Sequence, residues 1–186
     1  MYAQNGYEKF KSTIDNNKKE KLLKLKEGQA PKTLFITCSD SRICPNDLTQ
    51  TDYGELFVIR NAGNTIPHEG RSQGNADAAT LEYAVQVLKV EEIVVCGHSH
   101  CGAVGALLNG VDSSQLKYIA GYLKELEGLK KLSFEKKLSV EETIQENVKA
   151  QVENIKSYEF VQSALKSGLK IHGWVYSLET GNVTVV

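Results

Sequence analysis

The sequence predicts an α/β fold, a mostly parallel central sheet with flanking helices. Three features predict it. Short apolar runs of strand length recur along the chain, amphipathic helical stretches separate them, and turn residues mark the junctions. Strands joined through helices run parallel and are covered on both faces, so they read as near-continuous apolar runs rather than as alternating ones.

The elements follow in order. Over residues 2–27, Tyr7, Phe10 and Ile14 recur at spacings of three and four, followed by Leu22, Leu23 and Leu25, which predicts two helices. Gly28 and then Pro31 end the second one, so residues 1–27 form an N-terminal helical arm. Residues 33–37 (TLFIT), 56–59 (LFVI) and 93–96 (IVVC) are the first three strands. A helix over 76–88 carries Ala79, Tyr83 and Val87 on one stripe and Leu81, Ala84 and Leu88 on another. A further helix runs from near Cys101 to Leu108, and residues 139–166 are helical in two pieces. The end reads as two strands, LKIHGWVYSL and VTVV, joined by the turn residues Gly181 and Asn182. The Lys-rich stretches 17–26 and 130–137 are interrupted by Leu and Glu and read as solvated helix faces. With no repeat, low-complexity tract or linker, residues 1–186 are expected to form one catalytic domain.

Composition excludes several functions. Lys+Arg (22) nearly balance Asp+Glu (23), so there is no electrostatic footprint for nucleic acid or an anionic membrane. No apolar run approaches the roughly 20 residues that span a bilayer, and the polar first twenty residues lack a signal peptide's apolar core. A cytoplasmic location is the resulting expectation. Four cysteines in such a chain point to metal binding or catalysis before disulfides.

In parallel sheets ligands gather beyond the carboxyl ends of the strands. Two chemically loaded segments stand there: Cys38-Ser39-Asp40-Ser41-Arg42 after the first strand, and Gly97-His98-Ser99-His100-Cys101-Gly102 after the third. Zinc takes thiolate and imidazole ligands in a tetrahedron. His98 and Cys101 are three apart where a strand gives way to a helix, so one turn aims both at a point. If the first and third strands are neighbours, Cys38 joins them. Three protein ligands suit a catalytic zinc site, which keeps a position open; a structural site closes all four. Cys96 completes the run IVVC and reads as core, while Cys44, before Pro45, reads as a bystander. Asp40 and Arg42 straddle Ser41 and can pair, which keeps the carboxylate ionised and oriented. Asp40 then either accepts a hydrogen bond from water on the metal or, released by Arg42, binds zinc as a fourth ligand in a closed form. The plain alternative is a salt bridge that stiffens the loop.

At these residues the chain resembles the β-class carbonic anhydrases. The resemblance rests on CSDSR (38–42), GELFVIRNAGN (54–64), LEYAV (81–85), GHSHCGA (97–103) and HGWVYSLETG (172–181), and covers roughly residues 20–186. It implies a zinc-dependent enzyme, one Zn2+ per chain on Cys38, His98 and Cys101, that hydrates CO2 reversibly to bicarbonate and a proton through attack by hydroxide on zinc. Zinc lowers the pKa of water bound to it, an effect for which carbonic anhydrases are themselves the standard illustration. Asp40 and Arg42 match the family's catalytic dyad. Gln29, nine positions before Cys38, matches a glutamine that hydrogen-bonds substrate. Phe57 and Tyr83 match aromatic residues lining the CO2 pocket, which the family draws from the neighbouring subunit. Gly102 matches a glycine whose N–H points into the pocket. A homodimer or homotetramer is therefore implied, with the N-terminal helices packing on the dimer partner.

One subgroup of the family has a regulatory bicarbonate site of tryptophan, arginine and tyrosine. Arg60 and Tyr176 match it, but Phe35 stands at the tryptophan and lacks an N–H donor; Phe35 and the intact pocket positions favour the open form. Two other readings remain beside carbonic anhydrase: hydrolysis of carbonyl sulfide or carbon disulfide on the same ligands, and a non-enzymatic zinc module. His100, His68 and Tyr83 are the candidates for moving the product proton.

Overall fold

The computed structural model describes residues 2–186. The chain divides into two compact units, Met1–Ala30 and Pro31–Val186. The first carries α1 (Tyr2–Ser12) and α2 (Asn16–Leu25), and Asp15 caps α2 by accepting from the Lys18 N–H at 2.8 Å.

The second unit contains the sheet. In chain order it runs β1 (Thr33–Cys38), α3 (Pro45–Thr49), β2 (Leu56–Asn61), α4 (Ala76–Glu82), β3 (Glu92–His98), α5 (Gly102–Asn109), α6 (Lys117–Leu123), α7 (Glu127–Lys136), α8 (Val140–Lys156), α9 (Glu159–Lys166), β4 (Lys170–Tyr176) and β5 (Val183–Val185). The strand order is β2-β1-β3-β4-β5, parallel except for β5, which lies antiparallel on β4. From β1 the chain steps outward to β2, then crosses back to β3. The sheet's direction of growth therefore reverses between β1 and β3, and at such a switch point a crevice opens beyond the strand ends.

Strand periodicity divides the core. On one face Leu34, Ile36, Ile93 and Val95 pack with Leu81 of α4 and with Val148 and Ile155 of α8. On the other, Phe35, Val94 and Cys96 pack with Leu48 and Trp174. Helix α8 begins with a full capping box, in which Ser139 accepts from the Glu142 N–H and Glu142 accepts from the Ser139 N–H. It lies against β3 and β4, and Val148 takes the space that Gly97 leaves free.

Three expectations change in detail. The helix over 76–88 is α-helical only to Glu82 and continues as a π turn through Tyr83–Val87. Strands β1 and β3 run one and two residues past their apolar runs, so Cys38 and His98 end the strands rather than follow them. Ladder pairing of Cys38 with Asn61 and of His98 with Tyr176 extends the strands there. Finally, α3 and α6 were not foreseen, because one is five residues long and the other is interrupted by Gly121.

Candidate active site

Adjacency of β1 and β3 delivers Cys38 and His98 side by side at the switch point. Cys101 then stands at the N-cap position of α5, its side chain making no capping bond. Between them His100 takes the left-handed conformation (φ 54°), which turns the chain back so that His98 and Cys101 converge. The two Sγ atoms and one imidazole nitrogen all lie within 4.8 Å of one another. All three residues are buried, His98 completely.

The imidazole is set up to bind a metal. His98 Nδ1 lies 2.9 Å from the Ser99 carbonyl, which can only accept, so Nδ1 carries the proton. Nε2 is left with a lone pair, buried and without a hydrogen-bond partner. An unpartnered buried acceptor between two thiols is costly unless a cation takes the lone pair. The thiols point the same way. A hydrogen bond from Cys101 draws the Cys38 thiol down to about 4, helped by the Gly63 and Asp40 backbone against the opposing effect of burial. The same bond, together with burial, pushes the Cys101 thiol upward. The pair thus shares one proton, and a dication can replace it. The donor set fits zinc.

Asp40 stands over this group, its Oδ2 3.8 Å from His98 Nε2. Arg42 grips it by both prongs, Nε to Oδ1 at 2.9 Å and a terminal nitrogen to Oδ2 at 2.7 Å, while the Arg42 N–H donates to Oδ1 at 3.0 Å. These bonds hold the Asp40 carboxyl well below the usual carboxylate range. Arg42 also donates to the His100 carbonyl at 3.2 Å, tying the two ligand loops together. Arg60 donates to the carbonyls of Cys38 (3.0 Å) and Asp40 (2.7 Å), so it holds the first loop as a structural residue.

The other predicted residues separate into those near the ligands and those apart from them. Gly102 is the first residue of α5, beside Cys101, and its N–H is among those a helix start leaves without an intrahelical acceptor. Phe57 and Tyr83 face each other with ring centroids 6.0 Å apart. Within one chain, however, Phe57 pairs with Leu34 near the start of β1, whereas Cys38 ends it. Four residue steps along the strand separate the two positions, roughly 13 Å. Gln29 belongs to the N-terminal unit. Phe35 is fully buried, edge-on to Trp174. Cys96 is buried in the same cluster, and burial pushes its thiol up to about 12, so it is core. Cys44 is exposed. His68 caps a short helical turn, accepting from the Gly70 N–H.

Several partners of the site lie in quoted motifs without any contact being assigned to them. Glu179 accepts from Ser99 Oγ (2.8 Å) and Ser177 Oγ (2.9 Å) and bonds the His100 ring, fixing the second ligand loop from the C-terminal turn. Gly63, whose N–H donates to Cys38 Sγ, lies inside the quoted NAGN stretch, but nothing in the spacing assigns it that contact.

A family model described as carbonic anhydrase matches residues 33–183. The solved structure of the β-carbonic anhydrase CcaA superposes with a TM-score of 0.92 at 37% identity, covering 99% of this chain and 93% of that one. The chain belongs to the β-carbonic anhydrase family. A carbonic anhydrase of Pseudomonas aeruginosa is 42% identical over 184 residues, 96% of this chain and 83% of that protein. A structure of tetrameric β-carbonic anhydrases from Sordaria macrospora matches with a TM-score of 0.88 at 27% identity, covering 100% of this chain and 95% of that one. Zinc is the metal β-carbonic anhydrases use, and in this member Cys38, His98 and Cys101 are the group placed to hold one ion.

Proposed function

We propose that this chain hydrates CO2 reversibly to bicarbonate and a proton at a zinc ion held by Cys38, His98 and Cys101, with Asp40 and Arg42 as its catalytic pair. The convergence of the three ligand atoms around a buried, unpartnered His98 Nε2 carries the reading. Zinc bound there supplies the Lewis acidity that makes water nucleophilic near neutral pH. Asp40 Oδ2 is the anionic acceptor beside the ligands and takes the hydrogen bond of the attacking water, aligning it on the substrate carbon. Arg42 keeps that carboxylate ionised and occupied on both oxygens, and the two-pronged grip supports the open arrangement. The Gly102 N–H donates to an oxygen of the substrate and product, and the Gln29 side chain does so in the opposite subunit's site.

Phe57 and Tyr83 form an apolar wall for CO2 in a neighbouring subunit's site. Their distance from Cys38 along the sheet supports this, as does the position of β2 at the sheet's edge. The occupant of that edge is a second copy of the chain, and the Sordaria relatives described as tetrameric support an even-numbered assembly. In the N-terminal unit Tyr7 and Phe10 are exposed, which supports an arm that docks on the partner. No helix of the described residues is long and apolar enough to cross a membrane. A cytoplasmic location is supported by the four free cysteines, two of which must stay reduced to bind metal.

Stopped-flow CO2 hydration with parallel zinc analysis tests the assignment. Cys38→Ser and Cys101→Ser should lose zinc and activity together. Asp40→Asn should keep its zinc and lose on the order of 100-fold in kcat/KM, the low end for a positioned proton acceptor. Full zinc in both serine variants, or unchanged kcat/KM in Asp40→Asn, would refute it.

A further inference from the structure

We propose that Tyr122 is a positioning residue for the metal site, acting on Cys38 through the peptide unit between Ala62 and Gly63. The inference rests on the reading of Cys38 as a zinc ligand. A trans peptide is rigid and planar, and its C=O and N–H point in opposite directions, so whatever fixes one end aims the other. Here the Ala62 carbonyl accepts from the Tyr122 hydroxyl at 2.9 Å, and at the far end of the same peptide the Gly63 N–H donates to Cys38 Sγ at 3.4 Å.

The relay has a defined direction. A tyrosine hydroxyl has one proton, and this one goes to Ala62, so Thr65 Oγ1 is the donor in its short contact with Tyr122, in preference to its longer 3.4 Å contact with Asn61 Oδ1. Thr65 is itself fixed by Asn61, which accepts from its N–H at 2.7 Å and donates to its carbonyl at 2.8 Å. Donors therefore run from Thr65 through Tyr122 and the peptide to the sulfur, each polarising the next. On the other side of Gly63, its carbonyl accepts from Asn147, which is 1% exposed, at 2.9 Å. Gly63 has φ +82°, and a Cβ there would stand 3.2 Å from Ala103 Cβ, so the geometry calls for glycine.

An N–H aimed at a ligand thiolate withdraws electron density from the sulfur and fixes its orientation, as partners behind first ligands do at metal sites. The Tyr122 ring packs with the Leu107, Leu123, Leu126 and Leu129 cluster, which Tyr122→Phe leaves in place.

The test uses the full chain loaded with 113Cd in place of zinc and reads scalar coupling from the metal by NMR. Coupling is expected at the Cys38 β protons and, across the hydrogen bond, at the Gly63 amide proton. In Tyr122→Phe the Gly63 coupling should fall and its amide proton should move upfield, and the Kd for zinc should rise roughly tenfold, the lower end for loss of such a partner. Coupling at Cys38 without any at Gly63 would overturn the proposal, as would an unchanged Gly63 coupling and zinc Kd in Tyr122→Phe. Absence of coupling at Cys38 itself would instead refute the ligand assignment, and the proposal with it.

Discussion

At the residue scale the site is organised by who donates to whom. The Ser99 carbonyl commits the His98 proton to Nδ1, and that leaves Nε2 as the ligand atom. Arg42 keeps Asp40 anionic and engaged. Glu179 works at one remove: bonds from Ser99, supported by Ser177 and His100, lower its carboxyl to about 2 from an ordinary 4.5. A carboxyl depressed in the folded state contributes stability that is full above about pH 4.5 and fades as pH falls towards 2, because in that window the unfolded chain binds the extra proton. The Tm gap between the native protein and Glu179→Gln should therefore be constant near neutrality and close between about pH 4.5 and 2. Thermal melts across that range read it, and a gap that widens on acidification would contradict the assigned contacts.

At the scale of elements, α8 packs both on the sheet and against the residues around the ligands. Helix α8 contributes Ile144 to the apolar cluster around Cys38 and Cys101, and Val148 presses on Gly97, next to His98. A Cβ at Gly97 would lie 2.7 Å from Val148 Cγ2 and 3.4 Å from Ile144 Cγ2. Gly97→Ala should therefore destabilise the fold by about 1–3 kcal/mol, the cost typical of overpacking. In urea titrations the midpoint should fall with an unchanged m-value. A midpoint equal to that of the native protein would show that α8 can retreat freely. The periodic apolar runs made the strands and α8 legible in the sequence. Helices α3 and α6 were not, since short segments held by tertiary contacts carry too few residues to show a period.

At the scale of the molecule, one chain holds the metal ligands and the Asp40–Arg42 pair at the switch point, but leaves the Phe57–Tyr83 ring pair at the other end of the strands. On the proposed function, a second copy completes the pocket. Sedimentation velocity at assay concentrations should give a dimer or larger even-numbered species, and dilution below its dissociation range should reduce kcat/KM. A fully active monomer would rule this out.

The sequence by itself determined the α/β class, the strand positions, and the ligand triad with its neighbouring carboxylate and guanidinium. These depend on local periodicity and on residue types whose chemistry is restrictive: thiolate, imidazole and a fork-shaped cation. Only the tertiary structure decided that β1 lies beside β3, which turns two distant motifs into one site. It alone revealed the partners that act from a distance: Glu179 from the C-terminal turn, Asn147 from α8, and Tyr122 from α6 through a backbone peptide. The Asn147 and Tyr122 bonds go to backbone carbonyls, which leave no signature in residue type because every residue offers one; the Glu179 bonds join side chains some eighty residues apart. What such a contact does depends on where the chain brings it.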